Sequence, residues 1–125
     1  MKTAHDLVLA ARAQIEELSP QDAQRWQAAT AARVLDVREP DEFAAGHLPG
    51  AVNVPRGMLE FRIGELQPDG DAAILLYCKT SGRAALATQS LHSLGYTRLR
   101  SVAGGFDQWQ ADGLSVEKPV LPSFE

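Results

Sequence analysis

Residues 78–83 run Cys-Lys-Thr-Ser-Gly-Arg, and Cys78 is the chain's single cysteine. An apolar run (72–77) leads into it, and a helical pattern resumes at Arg83. A helix N-terminus leaves about four backbone N–H groups unpaired and carries a partial positive charge. A loop curling round the Cys78 sulfur would aim those amides at it, and such a nest holds a thiolate, a persulfide or an oxyanion. Gly82 suits a tight turn there. Thr80 and Ser81 bring hydroxyl donors. Lys79 and Arg83 bring two cations, and Arg83 can grip an oxyanion with two parallel bonds. The expected consequence is a thiol pKa below its ordinary ~8.5. The helix dipole, worth about 0.3–1 kcal/mol, is not enough alone, because each pKa unit needs about 1.4 kcal/mol. Amide bonds and cations must add to it. Against this stands the ordinary fate of a free cysteine, burial as a small apolar side chain. The loop by itself leaves Cys78 between these two roles.

The elements that must position the loop follow from the pattern. Residues 3–14 predict an amphipathic helix with Leu7, Ala10, Ala11 and Gln14 on one face. Residues 15–18 predict a short edge strand. Ser19 is an N-cap with Pro20 at the first helical position, and Trp26 on that helix is expected to anchor the core. Residues 33–37 predict a buried strand, 39–46 a short helix stopped by Gly46, and 51–54 a brief strand before Pro55. Leu59, Ile63 and Leu66 give a helix over 56–66, followed by a turn cluster at 68–71.

The uninterrupted apolar run 72–77 suits a strand buried on both faces, as in a parallel sheet. Leu86, Ser90, Leu91 and Leu94 are expected on the inner side of a helix that Gly95 closes. A last strand falls within 96–105 and a last helix within 106–113. Strands and helices alternate with short connections, which implies an α/β layer fold with a mainly parallel sheet. Sites in such sheets form at the carboxyl ends of the strands, and Cys78 falls at one.

Composition narrows the classes. The chain has 125 residues, 45% of them hydrophobic, enough for one domain with its own core. The net charge of −4 argues against a nucleic-acid partner. One cysteine makes no internal disulfide. The apolar stretch near the N-terminus is short and flanked by His5, Asp6 and Arg12, so it is not a signal peptide. No run approaches the roughly 18 apolar residues of a membrane span. The expectation is a cytoplasmic protein with no membrane partner.

Three segments then resemble the signatures of the single-domain rhodaneses, a sulfurtransferase family. They are VLDVREPDEFAAGHLPGAVNVP (34–55), LLYCKTSGRAA (75–85) and LGYTRLRSVAGGFDQW (94–109), in register and in order. The resemblance implies a rhodanese-like fold over residues 15–113. That fold is a central, mainly parallel five-stranded sheet flanked by helices on both faces. Residues 1–14 are then an N-terminal helical extension and 114–125 a tail expected to lie over the surface.

The resemblance also implies that Cys78 accepts a sulfane sulfur as a persulfide. Lys79, Thr80, Ser81, Gly82 and Arg83 would form the cradle that binds the substrate. Asp36 and Arg38 would be a polar pair supporting it, and His47, Gly104 and Gly105 would be mainly structural. His5 and His92 match no motif. Arg56 and Arg62 either line the site mouth or are solvated. No metal or other cofactor is implied. The partners implied are a small-molecule donor such as thiosulfate, favoured by the two loop cations, and a thiol acceptor, with a protein acceptor also open.

Two rivals remain from other classes. One is a non-catalytic rhodanese-like binding module, which the presence of Cys78 and Arg83 disfavours. The other is a cysteine phosphatase or arsenate reductase. Phosphatase loops place five residues between cysteine and arginine, whereas four separate Cys78 from Arg83. The shorter loop makes a smaller cradle, better suited to sulfur than to tetrahedral phosphate.

Overall fold

The apolar run is the central strand of the molecule. In the computed structural model, which describes residues 1–119, it forms β4 (Ala73–Tyr77), and all five of its residues are buried. The other strands are β1 (Glu17–Leu18), β2 (Arg33–Asp36), β3 (Val52–Asn53) and β5 (Arg98–Val102). They lie in the order β1-β5-β4-β2-β3, and every neighbouring pair is parallel. Leu35 of β2 pairs with Leu76, and Leu75 with Arg100 of β5. The helices among the described residues are α1 (Ala4–Arg12), α2 (Pro20–Thr30), α3 (Pro40–Ala45), α4 (Leu59–Leu66), α5 (Gly82–Leu94) and α6 (Gly105–Ala111), with a 3-10 turn at Arg56–Met58.

Alternation along β4 builds two cores. Ile74 and Leu76 point to one face with Leu35, Val37, Leu59, Ile63, Leu91 and Cys78. Leu75 and Tyr77 point to the other with Val34, Val102, Ala23 and Trp109. Helices α4 and α5 therefore cover one face, α2 and α6 the other, and α1 packs outside α5. Each fully buried Leu or Ile contributes about 1.5–3 kcal/mol, against about 1–2 kcal/mol for ordering a backbone residue. β4 meets that cost from its own side chains. The two-residue strands β1 and β3 hold their places through neighbours.

Local signals explain the element ends. Ser19 accepts the Asp22 N–H at 3.2 Å with Pro20 at the first helical position. Thr3 and Asp6 form a reciprocal capping box at α1. α5 ends at Gly95, whose φ of 108° lies in the left-handed region.

One packing expectation needs correction and another is met in part. The inner side of α5 is Ala84, Ala87, Thr88 and Leu91, whereas Leu86 and Ser90 are half-buried and Leu94 is exposed. Small residues let the helix lie close to the sheet, so that Leu91 alone of its leucines is fully buried and Leu94 is turned outward. Trp26 packs against the core as expected but only half-buried, beneath the Arg100 guanidinium 5.2 Å from its ring centroid, and Trp109 is the tryptophan buried within the core. Of the tail, Glu117 pairs its backbone with His47 in an antiparallel bridge, and residues 120–125 lie outside the described residues.

Candidate active site

Cys78 follows the last residue of β4 and precedes α5, so the strand delivers its sulfur to the first turn of the helix. The residue is 2% exposed. The Ala84 N–H donates to Sγ at 3.3 Å, and the Ala85 N–H closes the turn on Ser81 O at 2.9 Å. On the opposite side the loop's carbonyls are tied to α6. The Phe106 N–H donates to Cys78 O at 2.8 Å, and the Asp107 N–H to Lys79 O at 3.0 Å.

The nest is therefore present, but its effect on the thiol is opposite to the expected one. Burial pushes the Cys78 thiol up. The Ala84 amide, the Arg83 charge and the Arg83 and Thr80 amides pull it back, and burial prevails. The sulfur belongs to the apolar cluster under α5, so its thiolate loses more hydration than the amides return.

The two loop cations are already paired. Arg83 donates from Nη1 to Glu42 Oε1 at 2.7 Å and from Nη2 to Glu42 Oε2 at 3.0 Å. The fork expected to grip a substrate oxyanion thus grips a carboxylate of α3. Lys79 Nζ lies 2.8 Å from Asp107 Oδ2 in an exposed pair. The Arg83 guanidinium is the main cause that holds the Glu42 carboxyl down to about 2. Thr80 is exposed and Ser81 half-buried; the hydrogen bond to Sγ comes from Ala84 and from neither hydroxyl. Gly82 needs no left-handed backbone, and a Cβ there would meet Val8 Cγ2 of α1 at an ordinary 3.5 Å. The glycine that the loop does require is Gly105 at the start of α6, where a Cβ would strike the loop backbone.

Asp36 and Arg38 do come together, fully buried. Arg38 donates to Asp36 from Nε at 3.0 Å and from Nη2 at 2.7 Å, and its Nη2 also reaches Gly46 O at 2.7 Å. Tyr77 completes the group by donating its hydroxyl to Asp36 Oδ2 at 2.6 Å while accepting the Leu48 N–H. Burial and the neighbouring Asp36 charge push the Tyr77 phenol far up, so it stays a donor. The Arg38 guanidinium lies 4.4 Å from the Phe106 ring centroid. One buried network thus joins β2, the end of α3, β4 and α6.

Above it opens a depression of about 340 Å³ lined by Arg38, Glu42, Ala45, Lys79, Phe106 and Asp107. Arg56 pairs with Glu60 and Arg62 is exposed, and neither lines that depression. His47 stacks on Phe43 with centroids 3.9 Å apart, in a packing position, and His5 and His92 are exposed. No group of three metal-ligating side chains occurs among the described residues. Among the described residues no helix is long and apolar enough to cross a membrane.

A parallel sheet with helices on both faces, carrying a cysteine loop at the carboxyl end of its central strand, defines an α/β layer domain with its candidate site at that rim. Comparison with known proteins specifies it. The family model for the rhodanese-like domain matches residues 19–112, and the chain belongs to that family. It is 41% identical over 78 residues to the uncharacterized protein YqhL of Bacillus subtilis, a match spanning 62% of this chain and 60% of that protein. It is 35% identical over 91 residues to the thiosulfate:glutathione sulfurtransferase of Homo sapiens, spanning 62% of this chain and 78% of that one. A solved structure from Rhodopseudomonas palustris, described as a protein of unknown function and possible tyrosine phosphatase, superposes with a TM-score of 0.83 at 28% identity, covering 94% of this chain and 96% of that one. The relatives place the chain in a sulfurtransferase family.

Proposed function

We propose that this protein transfers sulfane sulfur through a persulfide on Cys78. One observation carries the reading: a lone thiol sits at the carboxyl end of the central strand with a helix-start amide on its sulfur, 3.3 Å away. In the first step the Cys78 thiolate attacks the outer sulfur of a donor such as thiosulfate. The sulfur–sulfur bond of the donor breaks and sulfite leaves with its electron pair. In the second step an acceptor thiolate attacks the outer sulfur of the persulfide and regenerates Cys78, which predicts ping-pong kinetics. The chain has no second cysteine to resolve the persulfide as an internal disulfide. The acceptor is therefore external, a small thiol or a protein thiol. The loop amides supply the electrostatic support, since the persulfide anion is larger and more diffuse than the thiolate.

The phosphatase alternative finds less support. Both acids beside the loop are held in ion pairs, Glu42 by Arg83, which keeps it down to about 2, and Asp107 by Lys79, so neither stands free as a general acid. Intact-mass measurement after incubation with thiosulfate tests the proposal. The expected result is a gain of about 32 Da, one sulfur atom, that cyanide removes and Cys78→Ala abolishes. No adduct would favour a binding module, and aryl phosphate turnover dependent on Cys78 would favour the phosphatase.

A further inference from the structure

Each cation around the Cys78 loop already holds a carboxylate. Arg83 holds Glu42 by two bonds, Lys79 holds Asp107, and Arg38 holds Asp36. The formal charges of these six side chains cancel. The depression above the Asp36–Arg38 pair, next to the loop, is lined by Glu42 as well as Lys79, with Ala45 and Phe106 as apolar wall. A doubly charged donor entering there meets the ionised Glu42 and must displace or share its pair with Arg83. A donor with hydrocarbon behind its sulfur needs no free fork and can pack on Phe106 and Ala45.

We infer that Glu42 is a specificity-determining residue of this site, occupying the Arg83 fork and so turning donor preference toward organic persulfides and away from doubly charged inorganic donors. The inference rests on the sulfurtransferase reading above. With an organic persulfide, R–S–SH, the Cys78 thiolate attacks the terminal sulfur and the donor's S–S bond breaks. RS⁻ leaves with the electron pair, and the proton stays on the transferred sulfur. The preference for thiosulfate expected from Lys79 and Arg83 is thereby reversed, because the sequence shows the cations and hides their partners.

Glu42→Gln tests this with little collateral change, since the amide keeps a carbonyl oxygen for the Glu39 N–H that Glu42 Oε1 accepts at 3.1 Å. The ratio of kcat/KM for thiosulfate to kcat/KM for 2-hydroxyethyl persulfide is expected to rise roughly five-fold, the scale of a half-exposed charge pair. A second measurement needs no turnover. Sulfate should protect Cys78 from iodoacetamide at a correspondingly lower concentration in the variant. An unchanged ratio with unchanged protection overturns the inference. If neither donor forms a persulfide, the sulfurtransferase reading falls, and sulfate protection alone still decides whether Glu42 blocks the fork.

Discussion

Gly105 rests directly against the backbone of Cys78: a Cβ at residue 105 would stand 2.5 Å from Cys78 O and 2.1 Å from Thr80 O. Its φ of 60° is also one that side-chain-bearing residues rarely adopt. The start of α6 is therefore the floor of the cysteine loop, and the absence of a side chain is what lets the two meet.

Gly105→Ala should accordingly cost about 3 kcal/mol, from overpacking against backbone and the left-handed conformation together. Thermal melting should fall by roughly 10 °C. Persulfide formation should be lost even at temperatures where the sheet persists. A variant that melts with the parent and still takes up sulfur would show that the loop can rise off α6 at little cost.

Asp36→Asn should be as damaging for a different reason. It leaves the buried Arg38 uncompensated, and breaking such a pair typically costs about 3–5 kcal/mol. Urea unfolding measures it. The double change Asp36→Leu with Arg38→Met should recover much of the loss, because no charge is then stranded. If the single and double variants unfold alike, the pair is not coupled as its geometry implies.

Acid titration should single out Glu42. Its folded value of about 2 lies below the ordinary ~4.3 of a glutamate. The lowered value means its contribution to stability is present above about pH 4.3 and is lost as pH falls through about 2. The side chain is partly exposed, so the contribution should stay below about 1 kcal/mol. Carboxyl carbon NMR should follow the titration, and the stabilities of parent and Glu42→Gln should converge toward pH 2. A Glu42 signal titrating near 4 would contradict the bidentate pair.

The buried thiol should titrate late. Iodoacetamide alkylation of Cys78 should rise with pH through a midpoint above the ordinary ~8.5. Because the folded value is raised, the linked stability is fully present below the unfolded pKa and is lost as pH climbs through the folded one. Arg83→Met removes a charge that favours the thiolate and should move the midpoint further up. A rate that plateaus below pH 8 would show that the amide nest outweighs burial.

Much of the architecture was legible in local pattern. The run at 72–77 announced a central parallel strand, Ser19-Pro20 a helix start, and the position of Cys78 a thiol at the carboxyl rim. The pairing of Asp36 with Arg38 came from the family resemblance, and the structure brings the two together just past the end of β2. What stayed hidden is what depends on distant residues. Glu42 and Asp107 lie 41 and 28 positions from the cations they hold. Tyr77 looked like one more apolar strand residue until its hydroxyl met Asp36. The direction of the Cys78 shift needed the depth of burial, which periodicity does not give. Glu42 sat unremarked inside a short predicted helix, and its reach toward Arg83 depends on how that helix packs against the loop.

The parallel sheet has one more consequence, for how such a protein changes over generations. β2, β4 and β5 all release their chains at the same rim, supplying Arg38, Cys78 and Gly105 in turn. The opposite rim, with the turn at residues 68–71, holds none of them. Mutational drift on that far side is insulated from the chemistry. At the carboxyl rim, Glu42 is a partly exposed carboxylate that belongs to neither core cluster. On the reading proposed above, donor preference is separable from foldability, and a lineage could retune the first while the second stays still.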